Sequence, residues 1–233
     1  MKQEEPNIIF EDEDILVCIK PQGVPSQSDK TGDFDMVNQL KNFLFRKSPS
    51  QGEPYVGLIH RLDRPVGGIM AFAKNKEAAK VLSESIRNRD MTKRYLAVLN
   101  YNKEPVKKEE QILTDYMIKD GRTNLSKITN AQDKNGKKAQ LTYRIREIKE
   151  EYSLAEILLL TGRHHQIRLQ MAAHLGGIVG DTKYNPLYQE KKGWNRMGLY
   201  AYELTLIHPK TKKRMSFQSI PKEEPFDLFF PEK

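Results

Sequence analysis

The sequence predicts an α+β protein built on a mixed or antiparallel sheet, and three observations lead there. Short apolar stretches bounded by turn residues outnumber helical ones, and the helical ones are interspersed without regular βα alternation. No internal repeat, heptad series or low-complexity tract is present, which argues against solenoids and coiled coils. At 233 residues with 38% hydrophobic content, the chain can bury a core large enough to fold without disulfide or metal. One large domain or two small halves sharing a core would both fit this length.

Taken in order, IIFEDEDILVCIKP reads as two short strands joined by an acidic turn at Glu11–Asp14. The Pro-, Gly- and Ser-rich KPQGVPSQSDKTGD that follows is loop. Met36, Val37, Leu40, Phe43 and Leu44 recur at helical spacing, in a helix that ends before Pro49. VGLIH and GGIMAFAK are buried strands flanking a polar segment. NKEAAKVLSESIRNRD is a helix with Asn75 as its cap. KRYLAVLN and EILLLT are strands, and HHQIRLQMAAHLGG is a helix stopped by Gly176 and Gly177. YELTLIHPKTKKRMSFQSI closes the chain as a hairpin turning at HPKTKK.

The bulk chemistry narrows the class. No apolar run approaches the ~20 residues of a membrane span, and the polar, acidic start MKQEEPNIIF is no secretory signal. A single cysteine, Cys18, excludes an intramolecular disulfide and suits a reducing compartment, so we expect a cytoplasmic protein with no membrane partner. The net charge of +8 favours a polyanionic partner, since each neutralised phosphate releases condensed counterions. Placement adds to this: between Arg87 and Lys108 seven lysines and arginines face only Asp90 and Glu104.

The most informative stretch is GLIHRLDRPVGGIMAFAKN, residues 57–75. An apolar strand ends at Ile59, charge follows, and an apolar strand restarts at Ile69, so the polar residues lie on a loop between buried strands, where functional groups concentrate. His60, Arg61 and Arg64 surround the Asp63 carboxylate with three potential cations, which would keep it ionised and oriented. Pro65 stiffens the loop, and Gly67 and Gly68 allow a tight turn or a close approach by ligand backbone. From periodicity and charge alone, an ordinary salt-bridged surface loop accounts for the segment at least as well.

Four ordered matches change that balance. GLIHRLDRPVGGIMAFAKN closely resembles the signature of the RluA-like family of RNA pseudouridine synthases, an H-R-L-D followed by a small-residue turn, an apolar strand and A-K. LLLTGRHHQIRLQMAAHLGGIVGDTKYN resembles the family's T-G-R-x-H-Q-I-R helix and the G-x-x-x-x-G-D-x-x-Y segment after it. KRYLAVL is similar to its tyrosine motif, and LYAYELTLIHPKT to its final strand pair. The matches run in family order from about Ile8 to Phe226. Two departures stand out. Val66-Gly67-Gly68 replaces the Thr-Ser-Gly of many members, and His164 stands where many have Thr. An amino-terminal S4-type module is expected to be absent, because the catalytic fold begins within ten residues.

The resemblance implies one catalytic domain over residues 1–233, a largely antiparallel central sheet with flanking helices, and a basic RNA-binding cleft. It implies isomerisation of uridine to pseudouridine in ribosomal or transfer RNA, with no cofactor and no metal. Asp63 would be the nucleophile or base, Arg168 the arginine paired with it, and Tyr95 the tyrosine touching the target base. Pairing would position the carboxylate more than it would stabilise the fold. Tyr95 follows Lys93 and Arg94, joining an aromatic plane to phosphate-binding charge. Arg61, Arg64, Lys93, Arg163 and Lys183 are the candidate RNA contacts, which would offset the few kcal/mol needed to extrude a paired uridine. Nothing demands more than a monomer.

Other readings fit less well. HRLD superficially resembles a kinase H-R-D loop, but the kinase order and a glycine-rich loop are missing. A metallohydrolase using His60, His164, His165 and His174 lacks a histidine pair at i, i+4, and on a helix adjacent His164 and His165 would point about 100° apart. The non-enzymatic alternative is an RNA-binding or ribosome-assembly factor that has lost catalysis, against which the intact Asp63, Tyr95 and Arg168 speak.

Overall fold

The computed structural model describes residues 5–28, 32–100, 109–191, 193 and 195–231. Lys103, Glu104, Lys107 and Lys108 of the basic stretch, and residues 29–31 of the first loop, lie outside the described residues. The strands are β1 (Asn7–Glu11), β2 (Ile15–Lys20), β3 (Gly57–Leu58), β4 (Gly67–Ala73), β5 (Thr92–Asn100) and β6 (Gln111–Asp120), then β7 (Leu125–Thr129), β8 (Lys137–Lys149), β9 (Tyr152–Leu159), β10 (Leu199–Ile207) and β11 (Arg214–Gln218). The helices are α1 (Met36–Lys47), α2 (Lys76–Arg87) and α3 (Gln166–His174). The expected α+β class and largely antiparallel sheet are what the structure shows. The chain gathers into two compact units: one runs to Thr92 and takes in Ala201–Ser219, and the other comprises Lys93–Tyr200 and the segment from Ile220.

In the first unit the strand order is β1-β2-β4-β10-β11, with β3 also on β4. β2 and β4 are almost wholly buried apolar runs, as strands covered on both faces must be. Their antiparallel register sets Ile15 opposite Ala73 and Lys20 opposite Gly68. Ile15, Val17, Ile69, Ala71, Leu204 and Leu206 share one core with Ala78 and Leu82 of α2. Local signals explain the helices. Asp35 caps α1 by accepting from the Asn38 amide at 3.1 Å, and Asn75 caps α2 by accepting from that of Ala78 at 2.8 Å. VGLIH forms strand only at Gly57–Leu58, because the chain leaves β4 early to build the polar loop.

Gly68 is where this unit tolerates no side chain. Its φ is +124°, and a β-carbon there would lie 2.3 Å from the Ala201 carbonyl oxygen and 2.5 Å from its nitrogen. Those are backbone atoms of a neighbouring strand and cannot step aside. Gly68→Ala should therefore cost about 1–3 kcal/mol or more. A urea midpoint unchanged from wild type would contradict this.

In the second unit the order is β5-β9-β8-β6-β7, and every pairing is antiparallel. β5 and β9 carry the buried centre. Toward the other edge β6 alternates intermediate and exposed residues and is stabilised by cross-strand pairing more than by burial. Glu156 of β9 is buried, and Arg144 and Arg146 reach it at 3.1 and 2.6 Å. Among the described residues no helix is long and apolar enough to cross a membrane.

Candidate active site

Asp63 lies on the loop between β3 and β4, partly exposed, while its two neighbours in sequence are held by main-chain contacts. The Val66 amide donates to the Asp63 carbonyl at 2.9 Å, closing a turn through Arg64 and Pro65. Arg61 is exposed, and Arg64 bonds the Gly23 carbonyl through Nε at 2.9 Å and the Asp33 carboxylate at 2.6 Å. His60 is no cation beside Asp63. It is buried, and its Nε2 accepts from the Ala71 amide at 3.0 Å, which requires an unprotonated nitrogen and so a neutral ring. The loop's charge therefore rests on the arginines and on a residue the sequence did not single out. That residue is Lys20, fully buried at the end of β2, whose electrostatic partners are Asp63 and Arg64.

Arg168 sits on α3 in the second unit and is buried at 3% exposure. Its guanidinium makes a two-pronged pair with Asp181, Nε to Oδ2 at 2.8 Å and Nη2 to Oδ1 at 2.7 Å. Asp181 is wholly buried and also accepts from the amides of Lys183 and Tyr184 at 2.9 and 3.3 Å, so its oxygens collect four donors. A planar fork on a planar carboxylate fixes the guanidinium in orientation as well as position. The Tyr184 ring packs against the guanidinium, 5.4 Å from its centroid. Asp181 belongs to the G-D-x-x-Y segment, but an aspartate in a glycine-rich stretch reads as a turn former, so sequence gave it no role.

The helix carrying Arg168 begins at Gln166, two residues later than expected. His165 adopts a left-handed backbone, φ 54°, which takes it out of the helix. His164 and His165 do not diverge as helical neighbours would, and their rings stack at 3.8 Å between centroids. The Gln166 side chain ties the start of the helix to the preceding turn and to β8. Its oxygen accepts from Thr161 Oγ1 at 2.8 Å and the Arg163 amide at 3.0 Å, while its Nε2 donates to the Gln140 carbonyl and Gln170 Oε1, each at 3.0 Å.

The stacked rings are wired to β7. The Ser126 amide donates to the Tyr184 hydroxyl at 2.7 Å, and that hydroxyl shares a hydrogen bond of 2.8 Å with His165 Nδ1. Ser126 Oγ donates to the His164 carbonyl at 2.8 Å and lies 3.0 Å from His164 Nδ1. Burial, reinforced by the charges of Arg168, His164 and Lys183, pushes His165 down to about 2, so it remains neutral. Tyr95, on β5 opposite Ile157 of β9, is buried. Lys93 is half-buried, and burial lowers its pKa. Arg163 is exposed, with Nε on the Lys138 carbonyl at 2.8 Å, and Lys183 reaches the Asn124 carbonyl at 3.2 Å.

Among the described residues one group could bring three metal-ligand atoms within 4.8 Å of one another: Asp12, Asp14 and His208. Hydrogen bonding accounts for that cluster without an ion. His208 Nδ1 accepts from the Lys210 and Thr211 amides at 3.2 and 3.0 Å, so Nε2 carries the proton it donates to Asp12 Oδ2 at 2.7 Å.

Comparison with known proteins gives the class. The fold matches the solved structure titled Human RNA Pseudouridylate Synthase Domain Containing 4, with a TM-score of 0.77 over 96% of this chain and 92% of that one at 21% identity. The family model described as RNA pseudouridylate synthase matches residues 14–173, and the chain belongs to that family. It is 31% identical over 229 residues to ribosomal large subunit pseudouridine synthase D of Vibrio cholerae serotype O1, covering 91% of this chain and 66% of that protein. It is also 31% identical to tRNA pseudouridine synthase C of Haemophilus ducreyi, covering 93% and 91%. The chain thus spans slightly under two thirds of the first relative and most of the second.

Proposed function

We propose that this chain isomerises uridine to pseudouridine in structured RNA, ribosomal or transfer, as a cytoplasmic monomer without cofactor or metal. The observation that carries this reading is the family match, whose residues 14–173 include Asp63, Tyr95 and Arg168. The names of the relatives, which act on large-subunit ribosomal RNA or on tRNA, support the substrate class.

The reaction breaks the N1–C1′ bond, turns the base and joins C5 to C1′. The proton leaving C5 goes to solvent and N1 gains one, so nothing is oxidised or hydrolysed. Asp63 supplies the carboxylate as nucleophile or base. Arg168 is the arginine that the resemblance gives a positioning role, and the Asp181 fork supports this role by fixing the guanidinium. Tyr95 contacts the extruded base. Arg61, Arg64, Lys93, Arg163 and Lys183 hold phosphates, so binding weakens steeply as salt rises.

Mapping pseudouridine across total RNA from cells with and without this protein tests the reading. At least one site should disappear on deletion and return with the intact gene. An unchanged map, with the protein still bound to RNA, would identify a binding factor instead.

A further inference from the structure

Three aromatic rings follow one another from the Arg168 guanidinium. The Tyr184 ring packs on it, the His165 ring meets Tyr184 edge-on at 5.5 Å and 81°, and the His164 ring lies over His165 at 3.8 Å and 27°. His165 is buried, whereas His164 at the end of the series is partly exposed, and what it exposes is what the stack does not cover. Ser126 of β7 fixes this last ring. Its one hydroxyl proton goes to the His164 carbonyl at 2.8 Å, so at 3.0 Å its oxygen accepts from His164 Nδ1, which carries the proton. One hydroxyl thus holds both the main chain and the ring of His164, and the imidazole cannot turn without breaking a bond. The isomerisation itself makes no use of this ring, which stands where many members of the family carry threonine.

We infer that His164 is an RNA-binding residue, a fixed aromatic plane on which an unpaired nucleobase of the substrate, other than the target uracil, stacks. This rests on the reading of the chain as an enzyme of structured RNA and narrows its substrate to RNA with a loop or bulge. Bases inside a duplex are already stacked on one another, whereas those of loops and bulges can be splayed onto a protein ring. Single-strand recognition joins such a ring to cations that follow the phosphates. Both parts are present. Arg163 precedes His164 and is exposed, and Lys183 lies close enough to act electrostatically on His165. Because Ser126 and His165 already hold the imidazole, stacking a base on it orders no loose side chain. His165 stays neutral, so the ring beneath His164 adds no charge to repel it.

The experiment is binding of the full chain, followed by fluorescence anisotropy, to two fluorescein-labelled RNA stem-loops. One has an all-uridine loop, and the other is the same molecule stripped of every loop base but the central one, with all its phosphates kept. Wild type should bind the intact loop more tightly. His164→Ala should lose roughly 5–100-fold in affinity for the intact loop, the worth of one stacked base, and nothing for the stripped one. His164→Phe should restore the preference, and His164→Leu, which has bulk but no π face, should not. Equal binding of both RNAs by wild type, or an undiminished preference in His164→Ala, would overturn the stacking. Equal losses on both RNAs would also overturn it, since they mark a brace for the turn at His165. Tritium release from 5-tritiated uridine in RNA of cells lacking the protein separates this inference from the reading beneath it. No release by a chain that passes the binding test removes the isomerase alone, whereas release without any effect of His164 removes only the stacking.

Discussion

Asp181→Ala should unfold the second unit at a markedly lower temperature than wild type. Asp181 is wholly buried and receives two hydrogen bonds from Arg168 and two from main-chain amides. Removing one member of a buried ion pair typically costs about 3–5 kcal/mol, because the other charge stays in a medium that solvates it poorly. At roughly 2–4 °C per kcal/mol for a chain of this size, the apparent Tm should fall by about 6–20 °C. Asp181→Asn keeps the shape and one acceptor oxygen, so it should lie between the two. A melting curve for Asp181→Ala within about 1 °C of wild type would mean that Arg168 is held by other contacts.

The same pair bears on function. A guanidinium fixed by a two-pronged bond cannot swing, so α3 presents Arg168 in one orientation. Activity in Asp181→Asn should accordingly fall more than its stability does when assayed well below its Tm.

Much of the fold was legible because its signals are local. Asn75 followed by a 3.6-residue apolar pattern announces α2, and the unbroken apolar run Gly67–Ala73 announces a strand buried on both faces. The carboxylate loop was legible from the abrupt change between apolar strands and charge. The strands β6 to β8 were not, because their alternation is diluted by lysines, threonines and arginines on faces that are only partly buried. The start of α3 was misplaced because HHQIR has helical composition, whereas the left-handed turn at His165 is fixed by tertiary bonds through Tyr184 and Ser126.

Lys20 and Asp181 were illegible for a common reason. A lysine before a proline and an aspartate after a glycine each look like solvated turn residues. Their roles appear only when partners distant in sequence, or a buried guanidinium, are brought to them. The positions that match the family motifs could be found by pattern. The residues that hold those positions in place could be found only in three dimensions.

Asp63→Asn offers the most direct measurement, through tritium released to water from RNA carrying 5-tritiated uridine. Asparagine preserves the size of the side chain and removes the charge, so the loop and its main-chain bonds should survive. Wild type should release tritium in step with pseudouridine formed, and Asp63→Asn should release it roughly 10⁴-fold more slowly while binding the same RNA with unchanged affinity. Release by Asp63→Asn at the wild-type rate would contradict the central claim, that this one carboxylate does the chemistry.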